Sequence, residues 1–271
     1  MKILLTGGTG FIGSYLKTHL TDHEVYAPTH QELDLLDADA VKEHLKTNCY
    51  NAVIHTAVVA REQVKETNNP EVSEKILKMF DNFYQNRHCF TTFINFGSGA
   101  EFGLDNNIEN VSEDEVVNYI PKEGYGYAKN QITRKILETR DFYNLRLFSC
   151  LDSSEPEERL LKRFLKAYNE VGTFEVDQER DVDFFSLHDV AVVVNAVLAG
   201  TIQHADLNLT YPFKLRIGDT LAKYCSIHKL NPLAVRVTGL GDNHYTGSGR
   251  RLKSYNLPLE GMDQALRNYK V

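Results

Sequence analysis

The sequence predicts an α/β protein: a doubly wound parallel sheet with helices on both faces and a small α/β lobe at the C-terminal end. Three observations predict it. Strand-like apolar runs alternate with helix-spaced segments over the first 150 residues, the signature of βαβ units. The first run ends in a glycine-rich turn that opens an amphipathic helix. Beyond residue 150 the alternation gives way to shorter, less regular segments.

Taken in order, residues 2–6 read as a short buried strand and 7–10 as a turn. Residues 11–20 have helical spacing, with Phe11, Ile12, Tyr15, Leu16 and Leu20 on one face. A strand over 24–27 is stopped by Pro28, and a helix follows over 39–46, its start marked by Asp37 or Asp39. Strands are expected over 52–55, 91–96 and 144–149, and helices over 70–83 and 126–140. The polar, acidic stretch 153–158 reads as a loop. Later helices are expected over 189–198, 220–228 and 261–269.

Composition narrows the classes. The chain has 271 residues, 42% hydrophobic and 25% charged, with a net charge of −7. Its acids are spread along the chain, which disfavours a nucleic-acid binder and suits a small ligand held in a locally basic pocket. Cys49, Cys89, Cys150 and Cys225 form no CxxC and no metal-ligand spacing, so thiols in a reducing compartment and no metal site are expected. The apolar run Ile3-Leu4-Leu5 is too short for a signal peptide or a membrane span. A cytoplasmic protein that does not engage a membrane is therefore expected.

The turn reads Thr6-Gly7-Gly8-Thr9-Gly10-Phe11-Ile12-Gly13. Gly7 permits a sharp exit from the strand at positive φ. Gly10 lets a pyrophosphate approach the backbone, and Gly13 lets the helix pack closely on the strand. The N–H groups of Phe11, Ile12 and Gly13 then face the phosphates at the positive end of a helix. Strand, glycine turn and helix in this order mark a dinucleotide site on a Rossmann-type sheet. Residues 1–150 are read as the dinucleotide-binding domain. Residues 151–271 are read mainly as a substrate-binding lobe, with 176–198 returning to the sheet.

The spacing Gly-x-x-Gly-x-x-Gly in TGGTGFIG resembles the short-chain dehydrogenase/reductase superfamily. It is most similar to the extended, nucleotide-sugar-modifying branch, the NAD-dependent epimerase/dehydratase family, and the resemblance runs in order along nearly the whole chain. Tyr125-Gly126-Tyr127-Ala128-Lys129 matches that family's Tyr-x-x-x-Lys. Residues four apart share a helix face. The resemblance makes Tyr125 the acid and Lys129 the cation that binds the ribose and lowers the phenol's pKa. Tyr127 is expected to pack or line the pocket. Asn95 to Gly103 resembles the serine segment, placing Ser98 against the reacting oxygen.

The two positions after Ser98 bear on reaction type. The resemblance gives 4,6-dehydratases an Asp-Glu pair there, and the GDP-fucose synthase group a cysteine two residues after the serine. This chain has Gly99 and Ala100, which move no protons. Glu101 reaches in only if the loop is displaced. What remains is reversible hydride transfer at one carbon, in a 4-keto-sugar reductase or a C4 epimerase.

For the cofactor, no carboxylate follows the second strand until Glu32, and Thr29 and His30 lean to NADP over NAD. The resemblance assigns Asp34-Leu35 to adenine and Thr56-Ala57-Val58, after His55, to the nicotinamide side. On the substrate side, the stretch from Glu179 to Val190 resembles the family's Arg-Asp-aromatic segment. That places Arg180 on a substrate diphosphate, with Arg250 or Arg251 as a second contact and Asp189 as an organiser. The family's Arg-x-x-Asn-x-x-Gly-Pro is altered: Ser149 follows Arg146 in place of asparagine, and Gly-Pro is missing. The family asparagine in the 70–83 helix is also missing, with Ile76-Leu77-Lys78 in its region.

The implied substrate is a nucleotide-diphosphate sugar, and the implied assembly is a homodimer through the 70–83 and 126–140 helices. Two other readings stay open: a reductase of a small non-nucleotide carbonyl compound, which a short lobe suits, and a non-catalytic NAD(P) sensor.

Overall fold

The computed structural model describes residues 1–59, 70–122 and 124–270. The chain runs through β1 (Lys2–Thr6), α1 (Phe11–His19), β2 (Glu24–Tyr26), α2 (Ala38–Asn48), β3 (Ala52–His55) and α3 (Pro70–Gln85). It continues through β4 (Thr92–Ser98), β5 (Ile108–Val111), α4 (Gly124–Leu137), β6 (Phe142–Leu147) and β7 (Ser149–Leu151). Then come α5 (Leu160–Val171), β8 (Phe174–Val176), β9 (Phe184–Ser186), α6 (Leu187–Leu198) and β10 (Asp206–Leu209). The described chain ends with α7 (Ile217–His228), β11 (Val235–Val237), β12 (Tyr245–Gly247), α8 (Arg250–Lys253) and α9 (Gly261–Asn268).

Six strands form one parallel sheet in the order β10-β6-β4-β3-β1-β2. The order reverses between β1 and β3, and sheets of this type bind ligands at that switch point, beyond the carboxyl ends of the strands. Side-chain alternation makes the two layers. Ile3, Leu5, Ile54 and Ile94 face α1 and α6, while Leu4, Val53 and Phe93 face α2, α3 and α4. The helix read as 189–198 starts at Leu187 because the Ser186 side chain accepts from the Asp189 N–H. Its Val190, Val193 and Val194 pack into the first of these clusters.

Just below the carboxyl edge, a polar row crosses the sheet in register: Thr6, His55, Asn95, Asn144 and Asp206. Each is buried. Thr6 Oγ1 lies 2.8 Å from His55 Nδ1, and the Asn95 amide donates to Asn144 Oδ1 at 2.7 Å. Asn144 in turn donates to Asp206 Oδ1 at 2.9 Å. A slip by one residue would turn this row into apolar core, so it fixes the register.

Other boundaries also differ from the sequence reading, three of them for a local reason. Asp37, not Asp39, caps α2, accepting from the N–H groups of Asp39 and Ala40. The helix expected over 126–140 begins at Gly124, so Tyr125 lies in its first turn. The strand expected over 144–149 runs from Phe142 to Leu147, then re-forms as β7 to pair with β9.

The rest of the C-terminal half forms its own cluster, in which Leu161, Phe164, Leu221, Tyr224 and Leu266 bring α5, α7 and α9 together. Among the described residues no helix is long and apolar enough to cross a membrane.

Candidate active site

The glycine turn is built as its composition requires. Gly7 has φ of +73°, and a Cβ there would lie 2.7 Å from Ala57 N and from Thr56 Oγ1. A Cβ on Gly13 would lie 2.1 Å from the Gly7 carbonyl oxygen. Helix α1 can therefore pack on the turn only through glycine. Gly10 is its N-cap, with no side-chain acceptor for the first-turn N–H groups, which leaves them for an anion.

In front of the turn lies a cavity of about 550 Å³. Gly7, Gly10, Thr29, His30, Asp34, Leu35, Thr56, Ala57 and Val58 all line it. The cavity thus gathers segments that the sequence assigned separately to phosphate, ribose, adenine and nicotinamide. Phe11, Ile12 and Gly13 stand behind this wall, in α1. The glycine cradle, filled by any Cβ, and the uncapped helix start fit the phosphates of a dinucleotide. Lys75 of α3 also lines the cavity, and no sequence signal singled it out. Thr29 holds a surprise. Its N–H and Oγ both donate to Glu32 Oε2, at 2.7 and 2.9 Å. These bonds hold the Glu32 carboxyl below its usual pKa range, so its charge sits directly on Thr29.

Ser98, Tyr125 and Lys129 come together at the carboxyl end of β4. Ser98 is the last residue of β4 and the N-cap of a 3-10 turn over Gly99–Phe102. Tyr125 is half-buried in the first turn of α4. Lys129 is buried one turn later, and its Nζ donates to the Phe96 carbonyl at 2.8 Å. That ammonium lies 5.8 Å from the centre of the Tyr125 ring. The electrostatics correct one expectation. The Tyr125 phenol is raised above its ordinary value, by burial first and then by Tyr245, while its contact with the Ser98 hydroxyl and the Arg159 charge pull it down. The pKa of Lys129 is itself pushed down to about 8 by burial, against the pull of Glu101.

Glu101 does not reach into the site. Its carboxylate accepts from Ser98 N at 2.8 Å, from Thr133 Oγ1 at 2.9 Å and from Arg146 Nε at 2.8 Å. Burial works against the Arg146 charge, and Asp206 with Glu101 outweighs it. The acid nearest Ser98 is thus a structural cap, and Ala100 beside it is buried.

On the substrate side, Arg180 donates through Nη1 to the Asn243 carbonyl at 3.1 Å, and its Nε is buried with no partner among the described residues. Arg250 is exposed at the start of α8, whereas Arg251 is tied to Asp114 and to the Asp206 carbonyl. Asp189 accepts from Tyr211 OH and from the N–H groups of Glu260 and Gly261, the work of an organiser. With His188 and Glu260 it places ligand-type atoms within 4.8 Å, but these donors already occupy its oxygens. Ser149, where asparagine was expected, accepts a long bond of 3.5 Å from Arg159. The Arg159 charge acts on Tyr125 and Tyr245, and its Nε is also buried without a partner among the described residues.

Two more residues escaped the sequence reading. Arg159 has no motif around it. Tyr245, with its hydroxyl 3.4 Å from Ser98 Oγ, lies 147 residues further along the chain in a three-residue strand.

Switch point, glycine turn and the Ser-Tyr-Lys cluster define a dinucleotide-dependent short-chain fold. The match to known proteins agrees: residues 3–209 fit the NAD dependent epimerase/dehydratase family, and the chain belongs to it. A stretch of 72 residues is 38% identical to GDP-L-colitose synthase of Yersinia pseudotuberculosis, spanning 26% of this chain but only 23% of that protein. A GDP-mannoheptose C4 reductase from Campylobacter jejuni, solved with NADP bound, superposes with a TM-score of 0.79 at 17% identity, covering 99% of this chain and 96% of that one. A dTDP-4-dehydrorhamnose reductase from Clostridium acetobutylicum gives 0.80 at 16% identity, over 99% and 98%. At such identities the two structures establish the shared fold.

Proposed function

We propose that this protein is an NAD(P)-dependent enzyme that moves hydride at C4 of a nucleotide-linked keto-sugar, as a 4-ketoreductase or C4 epimerase. The observation that carries the reading is the composition of the site: Ser98, Tyr125 and Lys129 meet, while Gly99 and Ala100 supply no acid and Glu101 is held by Arg146. Ser98 and Tyr125 suffice to assist hydride transfer to a carbonyl, and among the described residues Gly99, Ala100 and the tied Glu101 offer no second acid–base pair for water elimination. The relatives named above act on GDP- and dTDP-linked sugars, which supports the substrate class.

The cofactor, when bound, supplies or accepts the hydride. Lys129 would hold the nicotinamide ribose with the ammonium that donates to the Phe96 carbonyl beside the Tyr125 ring. In the reducing direction Ser98 Oγ donates a hydrogen bond to the carbonyl oxygen, which gains negative charge as hydride arrives at carbon. Tyr125 then gives that oxygen its phenolic proton, leaving an alcohol and a phenolate. Burial favours the neutral phenol, so the tyrosine is charged with its proton before reaction. Arg180 and Arg250 are read as contacts to the diphosphate.

The test is a panel of nucleotide-4-keto-sugars with NADH and with NADPH, followed at 340 nm. Tyr125→Phe is expected to lower kcat at least about a hundredfold, the contribution of a positioned acid, with dinucleotide affinity kept. Unchanged turnover in that variant overturns the mechanism, and no turnover by the wild type overturns the substrate class. Absorbance of the purified protein separates an epimerase, which retains its cofactor, from a reductase. We further propose a cytoplasmic homodimer through α3 and α4, which light scattering of the purified protein checks, and a division at residue 150 into dinucleotide domain and substrate lobe.

A further inference from the structure

The space beside Ser98 that Gly99 leaves open is filled from the far end of the chain. A Cβ on Gly99 would lie 2.5 Å from Phe148 Cδ1 and 2.8 Å from Tyr245 Cζ. The Tyr245 ring packs edge-on against Phe148, with centroids 5.3 Å apart. Phe148 is itself confined, since a Cβ on Gly247 would lie 2.4 Å from its Cε2. The backbone of Tyr245 is pinned to the 181–183 segment through both its N–H and its carbonyl. Its N–H donates to the Asp181 carbonyl at 2.9 Å, and its carbonyl accepts from Asp183 N at 3.1 Å. The phenol therefore arrives at Ser98 on a fixed strand, through a gap that only glycine at 99 allows.

A serine hydroxyl has two acceptor lone pairs and one proton. Ala100 N–H donates to Ser98 Oγ at 3.2 Å, and Tyr245 OH lies 3.4 Å from the same atom. With the phenol as donor, both lone pairs are used, and the single Ser98 proton must point away from both. Ser98 is also in hydrogen-bonding contact with the Tyr125 phenol, which gives that proton a direction to take. Burial pushes the Tyr245 phenol up to about 12, against hydrogen bonding from Ser98 and from the Ala100 N–H, so it keeps at neutral pH a proton that it can donate to Ser98 Oγ.

We propose that Tyr245 is a positioning residue: its O–H donates to Ser98 Oγ and turns the Ser98 proton toward the substrate oxygen that Tyr125 protonates. This rests on the reading that the site reduces a ketone. It ties the C-terminal lobe to the chemistry, because β12 carries Tyr245 while Ser98 and Tyr125 belong to the sheet and α4.

The experiment uses the full-length protein, NADPH and a keto-sugar that the wild type reduces, in single-turnover mode. Tyr245→Phe is expected to lower the rate about tenfold, the worth of one hydrogen bond, with the keto-sugar KM, the NADPH Kd and the melting temperature of the wild type. Gly99→Ala, which keeps the hydroxyl but displaces its ring, is expected to show the same rate loss. In a Ser98→Ala background, Tyr245→Phe is expected to cost nothing further, because its effect passes through Ser98. A Tyr245→Phe rate within twofold of wild type overturns the proposal. So does an equal loss with and without Ser98, or a loss that tracks unfolding. Failure of the wild type to reduce any nucleotide keto-sugar is a different result: it removes the ketoreductase reading, and this inference with it.

Discussion

Thr29 shows how one neighbour alters a residue's meaning. In the sequence it offers a hydroxyl to a 2′-phosphate; in the fold both its donors serve Glu32. That carboxylate stays ionised because the same bonds hold its pKa down. A 2′-phosphate at Thr29 must compete with it, whereas ribose hydroxyls meet no like charge. Glu32→Ala is therefore expected to tighten NADPH binding about two- to fivefold while leaving NADH within twofold, the scale of one exposed charge. Fluorescence titration of both cofactors checks it, and equal change for both would show that Glu32 does not face the 2′ position. The glycine turn next door was legible because every contact that constrains Gly7, Gly10 and Gly13 comes from a strand-turn-helix unit or the strand beside it. The Glu32 clasp was not, since an exposed glutamate three residues past a threonine carries no pattern.

Elements add a second layer of control at the 3-10 turn after β4. Arg146 of β6 is fully buried between Glu101 and Asp206, its Nη2 lying 2.7 Å from a carboxylate oxygen of each, and its Nη1 donates to Asn208 at 2.9 Å. Glu101 caps Ser98 from the same carboxylate, so this ion triad joins the 3-10 turn after β4 to β6 and β10 and holds the Ser98 loop at its end. Arg146→Met would leave two buried carboxylates facing each other. A loss of about 3–5 kcal/mol is expected, read as a lower urea midpoint at unchanged slope. A shift under about 1 kcal/mol would mean that the carboxylates find water or protons at little cost. Strand and helix identities in this half were readable because each strand is a short apolar run between helix-spaced segments. The triad was not, because Arg146 looked like a family arginine whose partners lie 45 and 60 residues away.

At the scale of the whole molecule, the lobe is where sequence reading thins out. Its strands are three residues long, too short for periodicity to separate from loops, and its core is assembled from α5, α7 and α9. Tyr245 comes in on β12, which pairs with β5 and packs beside Phe102 and Phe148, whereas Arg159 stands just before the first helix of that assembly. The C-terminus is part of it: Tyr269 is buried and donates through its hydroxyl to Glu155 Oε1 at 2.7 Å. Burial pushes the Glu155 carboxyl up to about 7 from an ordinary 4.5, against the pull of Tyr269 and Arg159. Between those two values the folded chain binds more protons at this site than the unfolded chain. Stability from this group is thus complete below about pH 4.5 and is lost as the pH rises through about 7. Glu155→Gln keeps an acceptor for the Tyr269 hydroxyl and removes the ionisation. It is expected to match the wild type near pH 4.5 and to exceed it by about 1–3 kcal/mol above pH 7, seen as a melting-temperature gap that opens across that window. A gap of constant size at both ends would mean that Glu155 is already ionised throughout, with Arg159 outweighing its burial.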